Sequence, residues 1–562
     1  MDLNSNVLSK IKLHRTKCTK LIQNIIAPEI RSEIIKDLNE SKAHFSLIFD
    51  ESTDIGTQKL LCIMLIYFSK KTNKIVTTFY KIIKLLSGDA NTIYSSIKKT
   101  LIEDMIDLKK LVGIGVDGAN VNVGSKNSVY TLLKKDLPDL ILIKCVCHSL
   151  SLASKYAFEK LPRHLDHIIM ETYNWFSRST KRQEEYKNLY ETINNNCPLK
   201  ILKFCETRWL SRSQCMERIL ENWDVLKLHF QLTKDKEHCY NTLNLATLYS
   251  DPINKLYFTA VVPIVKSIAK VNKLFQIDAN YKQITAMEDL LNLYKTLLDI
   301  ICVPTQLKRV NLKEIVDFKF ENYLLGENYV HLGYEYSVEE NIVKTCLSSK
   351  GTNPLPLIAE TRKRIYLFIV EMCSQIKLRL PNNIAVYKQL NFLTPQNASA
   401  IFSPDITELV VEHKHLVNNV SETLKEWKLL SQKKYNNMDN PIEYWNEVSG
   451  DIAADGTSRF KNISLLALAL YSLPISNASV ERVFSTVNVV KNKLRNRMNV
   501  ITLDSILAIR HGLKWRNQTC KNFIVTNSML NKFNSNIYNN SSSDLENDDA
   551  GIEEIITAIS YE

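Results

Sequence analysis

Five short apolar runs follow one another between His44 and His148, and nothing else in the chain constrains its fold as strongly. HFSLIF, LLCIMLIYFS and KIVTTFYKIIKL come first, the last two joined by the turn-like KKTN, and they predict three strands in an antiparallel meander. DANTIYSSIKKTLIEDMIDL then places Ile93, Ile97, Leu101 and Ile102 at helical spacing after an Asp start. LVGIGVDGAN reads as a further buried strand, and after a helix-like stretch to Leu137, LILIKCVC reads as the fifth. The order β-β-β-α-β-α-β predicts an α/β domain with a mixed sheet.

From about Leu150 to Asn440 the texture changes to long amphipathic stretches with few glycines, which predict helices, with residues 311–353 the most irregular part. Apolar density returns in ISLLALALYSLPI, a buried helix ended by Pro474, and SNASVERVFS begins another. The tail NKFNSNIYNNSSSDLENDD has too little apolar surface to offset its chain entropy and is expected to be disordered. At 562 residues the chain exceeds what one core organises. Its parts are therefore expected as a helical lead-in over 1–43, a sheet core over 44–149, a helical insertion over 150–455, a completion of the core over 456–515 and a tail over 516–562.

The longest apolar run, Leu60 to Phe68, falls short of the roughly 20 residues a membrane span needs, and the N-terminus lacks a signal-peptide apolar region, so no membrane association is expected. Twelve cysteines form no even framework, which fits reduced thiols inside the cell. A net charge of +12 favours a polyanion as partner, although solvated lysines produce the same balance.

Asp50 ends one apolar strand, in FDEST, and Asp117 ends another, in GIGVDGAN. Singly, Asp50 reads as a cap and Asp-Gly as a turn. At neighbouring strand ends, the two carboxylates supply hard oxygen ligands for paired divalent cations, and a third acid would complete the cage.

FDESTD, GVDGAN, CVCH, TRW and the distant LLALALYSLPISNASVERVFSTVNVVKNKLRNRM together resemble hAT-superfamily transposases, in particular the Buster-like branch and its domesticated relatives. The resemblance runs from about Phe45 to Gly512, and SNASVERVFS with KNKLRNR is its most specific piece. It implies an RNase H-like mixed-sheet core interrupted by a large all-α insertion, with Asp50, Asp117 and Glu481 as a DDE-type catalytic triad. That triad is expected to bind two Mg²⁺ (or Mn²⁺) ions for DNA strand cleavage and transfer in the nucleus.

By the same resemblance Cys145 and His148 form a C-x-x-H element beside the active site, although a buried thiol with a hydrogen-bonded His explains the pair as well. A structural zinc needs four ligands and no second pair matches, so none is expected. Arg208 and Trp209 correspond to the family's R-W element, whose ring is thought to stack on a displaced base; a tryptophan in a helical region is otherwise more often core. Lys491, Lys493, Arg495 and Arg497 are candidates for holding phosphate oxygens, or simply form a solvated basic face.

Family members usually carry an N-terminal DNA-binding finger, and the residues before the first strand run offer only Cys18 and His14 toward one. An intact triad favours a transposase. A missing module favours a domesticated nuclear protein that dimerises and binds DNA or protein without cutting. ISLLALALYSL is apolar nearly all round, and Leu503, Ile506, Leu507 and Ile509 add further apolar faces, so the C-terminal region is expected to form homodimers or larger oligomers. The competing reading is that these faces close the core around Glu481.

Overall fold

The computed structural model describes residues 14–41, 44–204, 211–237, 239–277 and 283–538. The chain divides into two compact units: residues 1–145, 278–284 and 385–562 form one, and residues 146–277 and 285–384 form the other.

The first unit is built on a five-stranded mixed sheet of order β3-β2-β1-β4-β5. Its strands are β1 (Phe45–Thr53), β2 (Lys59–Ser69), β3 (Lys74–Leu85), β4 (Leu111–Val116) and β5 (Ile141–Lys144). β1, β2 and β3 form the expected antiparallel meander, while β4 and β5 run parallel to β1. The labelled helices of this unit are α1 (Ala27–Ser41), α2 (Ala90–Glu103), α3 (Val129–Asp136), α4 (Lys461–Tyr471), α5 (Ala478–Val490) and α6 (Val500–Trp515). Local chemistry sets several of their starts: Asp89 accepts from the Thr92 N–H before α2, Ser128 and Thr131 form a capping box on α3, and Asn499 accepts from the Thr502 N–H on α6.

Successive residues of a strand point to opposite faces, and Tyr67 and Phe68 show what covers each. The Tyr67 hydroxyl donates to Asp37 of α1 at 2.9 Å, whereas Phe68 joins a core made by Leu390, Trp427, Trp445 and α4. Residues 385–455 therefore belong with the sheet rather than with the insertion, as the boundary expected at 455 had it. Helical texture is the same in either unit; the burial of Leu393, Trp445 and Leu466 against one another decides the matter.

The edge strand β3 carries a bulge where Tyr80 is the extra residue. Arg31 of α1 donates to the Tyr80 carbonyl at 3.2 Å, Asp504 of α6 accepts from the Ile82 N–H at 2.9 Å, and the two side chains pair at 2.6 Å. The bulge's exposed backbone groups are thereby satisfied and the edge is closed to further pairing.

The apolar C-terminal faces are covered within the chain. α4 is buried over almost its whole length, and Leu503, Ile506, Leu507 and Ile509 lie in the same core as Ile30, Ile34 and the strands. These faces therefore need no second chain for cover, because α1, expected only as a lead-in, packs in the same core. Part of the expected tail is ordered: Asn527–Lys532 is a helix, and Met529 and Ile537 pack on Ile25. Residues 539–562 lie outside the described residues.

The second unit is helical, as expected of most of 150–440. Its longest helices are Pro252–Leu274, started by Pro252 after an Asp251 cap, and Leu355–Arg379. Trp175, Trp223, Phe230, Tyr249 and Phe258 form an aromatic core with ring centroids 4.8–5.9 Å apart. Trp175 donates to the buried His229 at 3.2 Å, and burial pushes that histidine down to about 4, so it stays neutral and accepts. Within the irregular stretch 311–353, Tyr334–Ser349 is a regular helix. Among the described residues no helix is long and apolar enough to cross a membrane.

Candidate active site

Register brings the first two acids together. The last β1–β4 pairs are Leu47 with Ile114 and Ile48 with Gly115, so extending the parallel register by two residues sets Asp50 beside Asp117. One oxygen of Asp117 accepts from the Ala119 N–H at 3.1 Å and the Asn122 amide at 2.7 Å, which fixes its rotamer; Asp50 accepts from the Glu51 N–H at 2.8 Å.

Glycine brings in the third acid. A Cβ on Gly113 would stand 2.4 Å from the Leu473 side chain, and one on Gly115 would stand 2.7 Å from Pro474. Both glycines point to one face of β4, so the connection leaving α4 lies directly on the strand. It then turns into α5 at Asn477, whose N–H donates to the Cys145 thiol at 3.2 Å. Cys145 in turn follows β5, and its own N–H donates to the Val116 carbonyl at 2.9 Å. Two neighbouring strand ends thus hold the start of α5, and Glu481 sits in its first turn. Val480, Val483, Val487 and Val490 form a buried stripe that seats α5 on β1 and β2, each burial contributing on the order of 1.5–3 kcal/mol.

Two of the three carboxylates have raised proton affinities. Burial first, and then the charge of Asp117, push Asp50 up to about 7. Burial, the Cys145 thiol, Asp50 and Asp117 push Glu481 up to about 8, with Arg482 working against them. Such a cluster of half-buried like charges costs free energy unless protons or a cation neutralise it. Asn477 and Ser479, which precede Glu481 at the start of α5, are buried, and their side-chain polar atoms have no hydrogen-bond partner among the described residues. Also among the described residues, no three His, Cys, Asp or Glu side chains converge closely enough to hold one metal ion between them.

The remaining candidates divide. Cys145 is a buried thiol that anchors the start of α5, while His148 is half-buried in the helix Val146–Phe158 of the second unit. Arg208 and Trp209 lie outside the described residues. Lys493 and Arg497 are exposed and Arg495 is half-buried, but Lys491 does not share their surface. It is buried and pairs with Asp54 at 2.8 Å, because it extends the valine stripe by one helical step from Val487. Sequence reasoning missed Asp54, Asn477 and the role of the glycines in GIG. The alternating Gly113 and Gly115 and the helical spacing of Lys491 were the signals that could have found them.

Two family descriptions match the chain, and both fall in the unit that holds the three acids. Residues 3–126 match "ZMYM1/FAM200, RNase-like domain", and residues 419–513 match "hAT family C-terminal dimerisation region". The second match begins well before residue 456, where the sequence reading had placed it, and takes in the helices Val420–Leu430 and Pro441–Ser449 that pack with α4. It supports homodimer formation even though the apolar faces first cited for it are buried within one chain. An RNase-like domain before the helical unit and a hAT dimerisation region after it together support a relationship to the hAT-family transposases, domesticated ones included.

Proposed function

We propose that the first unit is an RNase H-like catalytic core that cuts and joins DNA strands in cut-and-paste transposition, acting in the nucleus as a homodimer on two element ends. The observation that carries this reading is the set of three half-buried carboxylates, Asp50, Asp117 and Glu481, gathered at one end of the sheet, where burial and neighbouring charge raise the proton affinity of Asp50 and Glu481. Functional sites are where such costly arrangements concentrate. The donor set fits a pair of Mg²⁺ or Mn²⁺ ions, since it offers hard oxygens and negative charge that a divalent cation relieves. When bound, such ions activate an attacking hydroxyl and stabilise the departing phosphate oxygen.

The chain's own residues have separate tasks in this reading. Asp117 is held by Ala119 and Asn122 so that one carboxylate edge keeps its direction. Cys145 fixes the start of α5 and with it Glu481. Lys493, Arg495 and Arg497 hold phosphate oxygens, which makes DNA affinity fall steeply with salt. Arg208 and Trp209 are assigned to a displaced base through the family resemblance alone.

A second reading, a domesticated protein of the same fold that dimerises and binds without cutting, draws its support from the failure of any three candidate ligands to converge on one point among the described residues. One experiment separates the two. Calorimetric titration of the purified chain with Mn²⁺ should show binding that Asp50→Asn abolishes and Glu481→Gln weakens about tenfold, and supercoiled DNA should be nicked by the wild type only. A wild-type chain that binds no Mn²⁺ at millimolar concentration leaves the second reading standing.

A further inference from the structure

Asp54 and Lys491 form a deeply buried ion pair in the sheet unit, each side chain 1% exposed, with Lys491 Nζ 2.8 Å from Asp54 Oδ2. The other Asp54 oxygen accepts from the backbone N–H groups of Gly56 and Gln58 at 2.8 and 2.9 Å, so one carboxylate builds the β1–β2 turn and binds the lysine. Lys491 also reaches the Gln58 side chain at 3.4 Å, and a Cβ on Gly56 would meet the Asn496 carbonyl at 3.3 Å. The end of α5 and the segment after it are therefore clamped to the hairpin tip. Burying two charges is costly, and a buried pair is retained for something other than stability when it specifies a register.

The register in question is measurable in residues. From Asp50 to Asp54 is four residues of near-extended chain, about 13 Å. From Glu481 to Lys491 is ten residues of helix, about 15 Å. The two lengths match, and α5 lies along β1 and β2 between these points. Pairing at one end thus fixes how far along the hairpin Glu481 arrives at the other. The valine stripe alone does not, because an apolar stripe tolerates sliding that a buried charge pair forbids.

We infer that Asp54 and Lys491 are positioning residues that set Glu481 level with Asp50. The inference rests on reading Asp50 and Glu481 as parts of one cation site. The test uses the full chain with Asp54→Asn and Lys491→Met together, which keeps the turn's acceptor and removes both charges at once. Mn²⁺ should bind about tenfold more weakly than to wild type, and adding Glu481→Gln should cost nothing more, while adding Asp50→Asn still weakens binding. Wild-type Mn²⁺ affinity in the double variant, or a full Glu481→Gln loss on top of it, overturns the inference. If that variant does not fold, Lys491→Arg keeps the charge and should keep the loss caused by Glu481→Gln; its disappearance in a folded Arg variant overturns the inference equally. If the wild type itself binds no Mn²⁺, the reading of the site fails, and hydrogen exchange judges the clamp alone. Faster exchange over residues 478–485 with α6 unchanged sustains it, and unchanged exchange in both refutes it.

Discussion

The two ends of α5 meet the same hairpin in opposite electrostatic states. At its start Glu481 faces Asp50 and Asp117, like charges whose proximity and burial raise the proton affinity of Glu481 and Asp50. At its end Lys491 faces Asp54, an opposite charge, and the pair is fully buried. One helix therefore carries a satisfied clamp and an unsatisfied cluster about 15 Å apart. The difference is one of stability: the buried pair at the end of the helix holds it in place while the cluster at its start remains repulsive.

The sharpest way to break that contrast is at the clamp. Lys491→Met alone leaves Asp54 buried and uncompensated and should cost roughly 3–5 kcal/mol in urea unfolding, most of which Asp54→Asn should restore. Next comes the connection between α4 and α5. Gly115→Ala pushes a methyl against Pro474 and should cost about 1–3 kcal/mol, lifting the start of α5 without altering any charge.

At the cluster the sign reverses. In the folded chain Asp50 stays protonated up to about pH 7, but once unfolded it ionises near its ordinary value of 3.8. Its contribution to stability is therefore fully present below about pH 4 and lost as pH rises through 7. Asp50→Asn should stabilise the metal-free chain by about 1–2 kcal/mol at pH 8 and by nothing near pH 4, as read from thermal melts in chelator. Mn²⁺ should raise the wild-type melting temperature and leave that of the variant unchanged. The smallest effect on stability belongs to the exposed cations: Lys493→Ala or Arg497→Ala should stay within about 0.5 kcal/mol of wild type while lowering the salt slope of DNA binding by about 1.

The strand order was legible because each of the five runs ends in its own turn chemistry, such as KKTN and Asp-Gly, and the two strand-end acids followed from that order. The helices over 385–455 were legible as helices but not as partners of the sheet, since nothing local in Trp427 or Trp445 tells which core will receive them. Lys491 looked like its neighbours Lys493 and Arg497 because composition does not reveal direction. Only its place on the valine stripe separates an inward lysine from an outward one. The apolar faces of α4 and α6 were legible as needing cover, and the covering elements, α1 among them, lay too far along the chain for pattern alone to connect them.

The bare stripe on β4 also has a temporal side. Gly113 and Gly115 are complete only when Leu473 and Pro474 lie on them, and the ribosome makes those residues some 360 positions later. At ordinary synthesis rates of about 5–20 residues per second, the nascent sheet waits on the order of half a minute with one face open. The intervening helical unit has that time to fold first, so the newborn chain should depend on chaperones most during this interval and resist protease over residues 146–277 before it does over 45–144.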